Sequence, residues 1–149
     1  MAIKNVNTEG LSLLQDAYRR YWTMFNNMSF GHSEFSLNFK VHPIASIRSY
    51  QDYSIGHSYH IVLKINFEHK EIFVGAYFNN LGVYDEFYRK KDLIETDLSC
   101  KLLWKRHKTK GSAYIVKNLD FTMDCGWDLI CNSMIENAIL LKKAFEKYT

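Results

Sequence analysis

The chain has 149 residues, 47% of them hydrophobic and 15% aromatic; that is enough for one domain with its own core, and it argues against a disordered chain. A formal net charge of +3 is too small to name a polyanionic partner, so where the charge sits matters more than its total. Cys100, Cys125 and Cys131 are odd in number and form no C-x-x-C pair, which argues against a disulfide framework and a structural zinc motif and fits reduced thiols in a cytoplasmic protein. The opening "MAIKNVNTEG" has no apolar h-region, and no apolar run reaches the ~18 residues of a membrane span, so neither secretion nor membrane attachment is expected.

In chain order, Leu11, Leu14, Tyr18, Tyr21, Trp22, Phe25 and Met28 recur at spacings of three and four. This is the stripe of an amphipathic helix over about 8–29, with Thr8 or Asn7 as its cap and Gly31 just past its end. Residues 31–50 alternate only in part and contain Pro43, the sole proline, which predicts an irregular crossing with room for one short strand. Tyr59, Ile61, Leu63, Ile65 and Phe67 then alternate with more polar neighbours, as do Ile72, Val74, Ala76 and Phe78. Two such runs around "EHK" predict a β-hairpin over about 53–79. A charged helix follows over about 84–98, with Tyr84, Phe87, Ile94 and Leu98 turned inward, and a second hairpin over about 101–118 turns near Gly111. Trp127, Ile130, Met134, Ala138, Leu141, Phe145 and Tyr148 mark a last helix over about 125–148. Asp124 is its expected N-cap, and Lys142, Lys143 and Lys147 sit near the negative end of its dipole. The expectation for 1–149 is a single α+β domain: a largely antiparallel sheet built from two hairpins, with three helices in the order α-ββ-α-ββ-α.

This succession resembles domain of unknown function family 4268, a bacterial family. "YRRYWTMFNN" is similar to its opening aromatic helix, and "DYSIGHSYHIVLKIN" followed by "IFVGAYF" to its central hairpin. "YDEFYRKKDLIETDLSCKLLW" resembles its charged helix running into a Leu-x-Trp strand, and "GSAYI" and "GWDLI" its later blocks. The resemblance implies a neighbourhood of DNA processing or restriction and defence, because such domains often follow a restriction-endonuclease-like nuclease domain. A chain of this length has no room for that domain. The family supplies no catalytic residues to carry over.

Candidate chemistry is sparse. His57 and His60 are three apart, which on a strand sends them to opposite faces, so one metal ion is not expected to meet both rings. Asp52, Glu68 and Lys70 imitate the acid and E-x-K order of a metal-dependent nuclease, but Glu68 and Lys70 fall at the hairpin apex. Ser58 and Ser112 lack a nucleophile elbow, and no Gly-rich phosphate loop is present. No catalytic residue, metal ligand or cofactor is therefore assigned.

Two surfaces remain. Lys101, Lys105, Arg106, Lys108, Lys110 and Lys117 fall in seventeen positions without an acid, with His107, Trp104 and Tyr114 interleaved. Such a hairpin either binds phosphates and stacks bases, or it is a solvated edge whose lysines prevent aggregation, with Trp104 and Tyr114 in the core. On the non-core face of the first hairpin, His60, Lys64, Phe73 and Tyr77 share one side. They are an aromatic-basic partner surface if no helix covers them, and three helices for one sheet favour coverage. The expected function is a non-catalytic binding module that contacts nucleic acid or a nuclease-type protein partner through the basic hairpin. The alternatives are an immunity or antidefence factor that binds protein alone and, behind it, a metal-dependent nuclease.

Overall fold

The computed structural model describes residues 10–122 and 126–149. Its elements are α1 (Leu13–Phe30), α2 (Ser33–Asn38), β1 (Tyr50–Ser54), β2 (Tyr59–Asn66), β3 (Glu71–Phe78), α3 (Leu81–Arg89), α4 (Lys91–Leu98), β4 (Leu103–Arg106), β5 (Gly111–Asn118) and α5 (Trp127–Lys147). The five strands form one antiparallel sheet in the order β1-β2-β3-β5-β4. The α+β class and the antiparallel sheet agree with the sequence reading. The element count does not: five helices are described where three were expected, and β1 extends the first hairpin into a three-stranded meander.

The alternation of β2 and β3 sets the core. Tyr59 pairs with Phe78, Ile61 with Ala76, Leu63 with Val74 and Ile65 with Ile72, and all eight side chains are buried. Ala113 and Ile115 of β5 and Tyr53 of β1 continue that face. All five helices send side chains into the same cluster, from Tyr21, Trp22 and Phe25 of α1 to Met134, Leu141 and Phe145 of α5. The helices thus form one layer on one face of the sheet. Among the described residues, no helix is long and apolar enough to cross a membrane.

Three local differences have physical causes. Ser12, not Thr8 or Asn7, caps α1: its hydroxyl accepts from the Gln15 N–H while the Gln15 side chain accepts from the Ser12 N–H, a capping box that satisfies two orphan donors. Asn7, Thr8, the proposed cap Asp124 and Cys125 lie outside the described residues. The charged helix is broken at Lys90 into α3 and α4. A straight helix would carry Lys91 onto the stripe marked by Phe87 and Ile94. The break instead sends Lys90 Nζ to the Tyr148 carbonyl at 2.9 Å and leaves Lys91 Nζ over the Tyr88 ring.

The irregular crossing contains α2, whose Phe35 is buried against Phe25, Phe39 and Tyr53. It then enters β1, which turns Gln51 towards the core. Gln51 is buried but satisfied: it exchanges hydrogen bonds with Asn26, accepts from the Ser46 N–H and donates to the Tyr53 hydroxyl.

Leu63 is fully buried at the centre of this layer. Leu63→Ala is expected to cost roughly 2–5 kcal/mol, read as a lower denaturant midpoint with unchanged slope. An unshifted midpoint would contradict the register described.

Candidate functional site

The face of the sheet opposite the helices is the second consequence of the β2–β3 alternation. Register lays its side chains in four rows across the strands. Three of them run Tyr50, Lys64, Phe73, Val116, then Asp52, Val62, Gly75, Tyr114, Leu103, then Ser54, His60, Tyr77, Ser112, Lys105, and a shorter row beyond the first holds Asn66, Glu71 and Asn118. Phe73, Tyr77 and Tyr114 are part-buried and lie outside the core cluster. Coverage of this face by a helix, which the helix count favoured, is not found among the described residues: the helices all join the other layer. His60, Lys64, Phe73 and Tyr77 therefore share one uncovered side.

Contacts on this face run between its own members. Phe73 and Tyr114 meet edge to face at 5.8 Å. Lys64 Nζ stands 5.2 Å from the centroid of the Phe73 ring, and Lys110 Nζ stands 5.9 Å from that of Tyr77. His60 Nδ1 lies 2.9 Å from an Asp52 carboxylate oxygen. Arg48 donates to the Tyr50 hydroxyl at 3.0 Å, which brings a further cation to the rim. Gly75 is the centre of the platform. A Cβ there would run into the Ala113 carbonyl oxygen and the Tyr114 ring, so the missing side chain is what lets Tyr114 lie flat across β3. Burial pushes the Tyr114 hydroxyl up to about 12, with Tyr77 and the Asp52 carboxylate adding to the shift, so it stays a neutral donor near neutral pH.

The basic hairpin is divided between the two sides of the sheet. Lys105 belongs to the open face through its register with Ser112 and Tyr77. His107, Lys108 and Lys110 are exposed at the tip, closed by the His107 N–H donating to the Lys110 carbonyl at 2.8 Å. Arg106 points the other way. Its Nε and Nη2 donate to the two Asp85 oxygens at 3.1 and 3.3 Å, and these bonds hold the Asp85 carboxyl below its usual range. Lys117 pairs in register with Ile72 on the helix side, and Lys101 lies 3.9 Å from Glu95.

Trp104 and Tyr114, treated alike in the sequence, are also separated. Tyr114 is on the open face, whereas Trp104 packs near Tyr84, Tyr88 and Phe145. The buried Glu95 carboxylate accepts from the Leu102 N–H at 2.7 Å and from the Trp104 indole N–H at 3.2 Å. That anchor holds the covered side of β4 down and turns Lys105 outward.

The other candidates do not converge. His57 precedes β2, stacks on Tyr59 and lies 3.3 Å from Glu146 of α5, so the two histidines serve opposite sides of the sheet. Asp52 sits in mid-strand opposite Val62, while Glu68 and Lys70 are exposed in the β2–β3 turn. Among the described residues no group of three His, Cys, Asp or Glu could hold a metal ion. Cys100 and Cys131 are free thiols, and burial pushes Cys131 up to about 12, which makes it a poor nucleophile.

The sequence reading missed Tyr50 and Arg48 because they fall in the stretch read as irregular. It also left Tyr114 unassigned to a face. The signal that could have placed Tyr114 is its even spacing from Ser112 and Val116, set against Ala113 and Ile115 on the apolar side.

Residues 17–149 match the family model described as Domain of unknown function (DUF4268). No curated protein and no solved structure matches the chain.

Gly75→Ala is expected to lower stability by about 1–3 kcal/mol through overpacking and to shift the Tyr114 ring resonances. A variant with unchanged unfolding and an unchanged Tyr114 environment would show that the ring does not depend on the bare backbone at Gly75.

Proposed function

The chain belongs to the family described as Domain of unknown function (DUF4268), and from that premise we propose that it is a non-catalytic binding module for nucleic acid. The observation that carries this reading is the junction of two surfaces distant in sequence. Lys105 and Lys110 of the hairpin meet His60, Lys64, Phe73 and Tyr77 on one uncovered face, with Lys110 over the Tyr77 ring. Cations among part-buried rings on an uncovered face suit a ligand with phosphates and flat bases. The face also carries Asp52 and Glu71, but Lys64, Lys105 and Lys110, with Arg48 at the rim, outnumber these two carboxylates. A role in DNA processing or defence belongs to the same proposal and rests on the family resemblance alone.

A second reading is a protein partner, such as a nuclease. What favours it is the segment 30–44, which leaves three large apolar side chains in solvent, Phe30, Leu37 and Ile44 at 75%, 86% and 81% exposed.

Fluorescence anisotropy with labelled oligonucleotides at low and moderate salt tests the first reading. Affinity is expected to fall with salt at a log–log slope of about −0.9 per phosphate neutralised on duplex, or about −0.7 on single strands. The double change Lys105→Glu and Lys110→Glu should weaken binding on every sequence and flatten that slope. Thermal stability should hardly change, since exposed charges contribute little to folding. Absence of wild-type binding at low salt would transfer the assignment to a protein partner. Magnesium- or manganese-dependent cleavage would replace it with a nuclease.

A further inference from the structure

We infer that the open sheet face takes an unpaired nucleic-acid strand in preference to a duplex, an inference that rests on the nucleic-acid reading above and narrows its ligand. The argument is one of shape. Five strands spaced at ~4.8 Å make a face about 19 Å across. A duplex major groove is about 12 Å wide and admits a helix or a two-stranded ribbon, not a sheet of that breadth. A duplex laid on this face would meet Lys64, Lys105 and Lys110 with its phosphates and leave the rings against its sugar edges. An unpaired strand can use both sets of groups.

The rings are spaced for that use. Phe73 and Tyr77 are four residues apart on β3, about 13 Å at ~3.3 Å per residue. Tyr114 lies beside them on β5, 5.8 Å from Phe73 and seated over Gly75. Phe73 and Tyr114 stand edge to face and offer one stacking face between them, so with Tyr77 the platform takes about two bases, within the two or three that aromatic sheet faces stack in known RNA-binding modules. The cations stand beside the rings and not in a separate stripe: Lys64 at Phe73, Lys110 at Tyr77, and Lys105 two strands beyond Tyr77 in its row. A backbone crossing the strands would therefore find a positive charge next to the bases laid on Phe73 and Tyr77. Ring faces tolerate any base, so the platform selects for unpaired bases and not for sequence.

The test compares labelled twelve-mers of oligo-dT and oligo-U, a duplex of equal length, and a twelve-mer of abasic sites, all with wild-type protein at low salt. Both single strands should bind at least ten-fold more tightly than the duplex, and the abasic strand at least ten-fold more weakly than oligo-dT. Phe73→Ala and Tyr77→Ala should each weaken single-strand binding about 5- to 150-fold, while Phe73→Tyr and Tyr77→Phe retain it. A duplex bound as tightly as the single strands, or an abasic strand bound as tightly as oligo-dT, overturns the inference and leaves the nucleic-acid reading in place. No binding of any of the four at tens of micromolar overturns both. The abasic comparison needs no variant, so it decides even if an alanine variant fails to fold.

Discussion

The pairing of β2 with β3 is the constraint from which the rest of the molecule follows. Ile61 opposite Ala76, Leu63 opposite Val74 and Ile65 opposite Ile72 place every large aliphatic side chain of the central strands, apart from Val62, on one face. Side chains alternate along a strand, so a slip of one residue would exchange the two faces entirely. With that register fixed, only one side of the sheet is apolar enough to receive helices, and all five described helices go there. Their aromatic residues interlock across elements: Phe78 of β3 meets Tyr84, Phe87 and Phe145 from α3 and α5. The opposite face is left to Lys64, Phe73, Tyr77 and Tyr114 by the same alternation. Core and candidate interface are two outcomes of one register.

That dependence explains what could be read from the sequence. Period-2 runs in β2 and β3 and the long stripe of α5 are strong signals because burial on one side demands them, and the seven residues Tyr59, Ile61, Leu63, Ile65, Ile72, Val74 and Phe78 are buried as expected. The strand β1 was not legible, because its inward positions are Gln51 and Tyr53. A buried glutamine reads as surface until Asn26, twenty-five residues away, supplies its partner. Lys142 is similar. It counts as a dipole charge in the sequence, yet it is 8% exposed and is held by Glu146 and Asn38. In each case a long-range hydrogen bond removes the desolvation cost that local pattern rules assume.

The candidate site was legible as two fragments and not as one surface. Charge density marked the hairpin, and alternation marked His60, Lys64, Phe73 and Tyr77. What joined them was strand order. β5 pairs with β3, so the second hairpin is an extension of the first hairpin's open face. The same topology sorts the hairpin's cations. Alternation along β4 gives Lys105 to the open face and Arg106 to the helix side, where Asp85 receives it in a two-point contact. A count of charges along the chain cannot make this distinction, because neighbouring residues on a strand face opposite ways.

The free protein already occupies its own rings. Lys64 covers Phe73 and Lys110 approaches Tyr77, and exposed cation–π contacts of this kind contribute about 0.5–1 kcal/mol. Stacking of a base on an aromatic side chain contributes about 1–3 kcal/mol. On the proposed reading, a base arriving at Phe73 would therefore gain more than the lysine loses. The displaced ammonium, on a flexible four-carbon stem, stays close enough to meet the phosphate of the same nucleotide. In the unliganded state the lysines shield rings that would otherwise be an exposed apolar patch and an aggregation liability. On the proposed reading the surface pairs two of its rings, Phe73 and Tyr77, with a cation that the ligand would release, so the arrangement that shields these rings would also prepare them to bind.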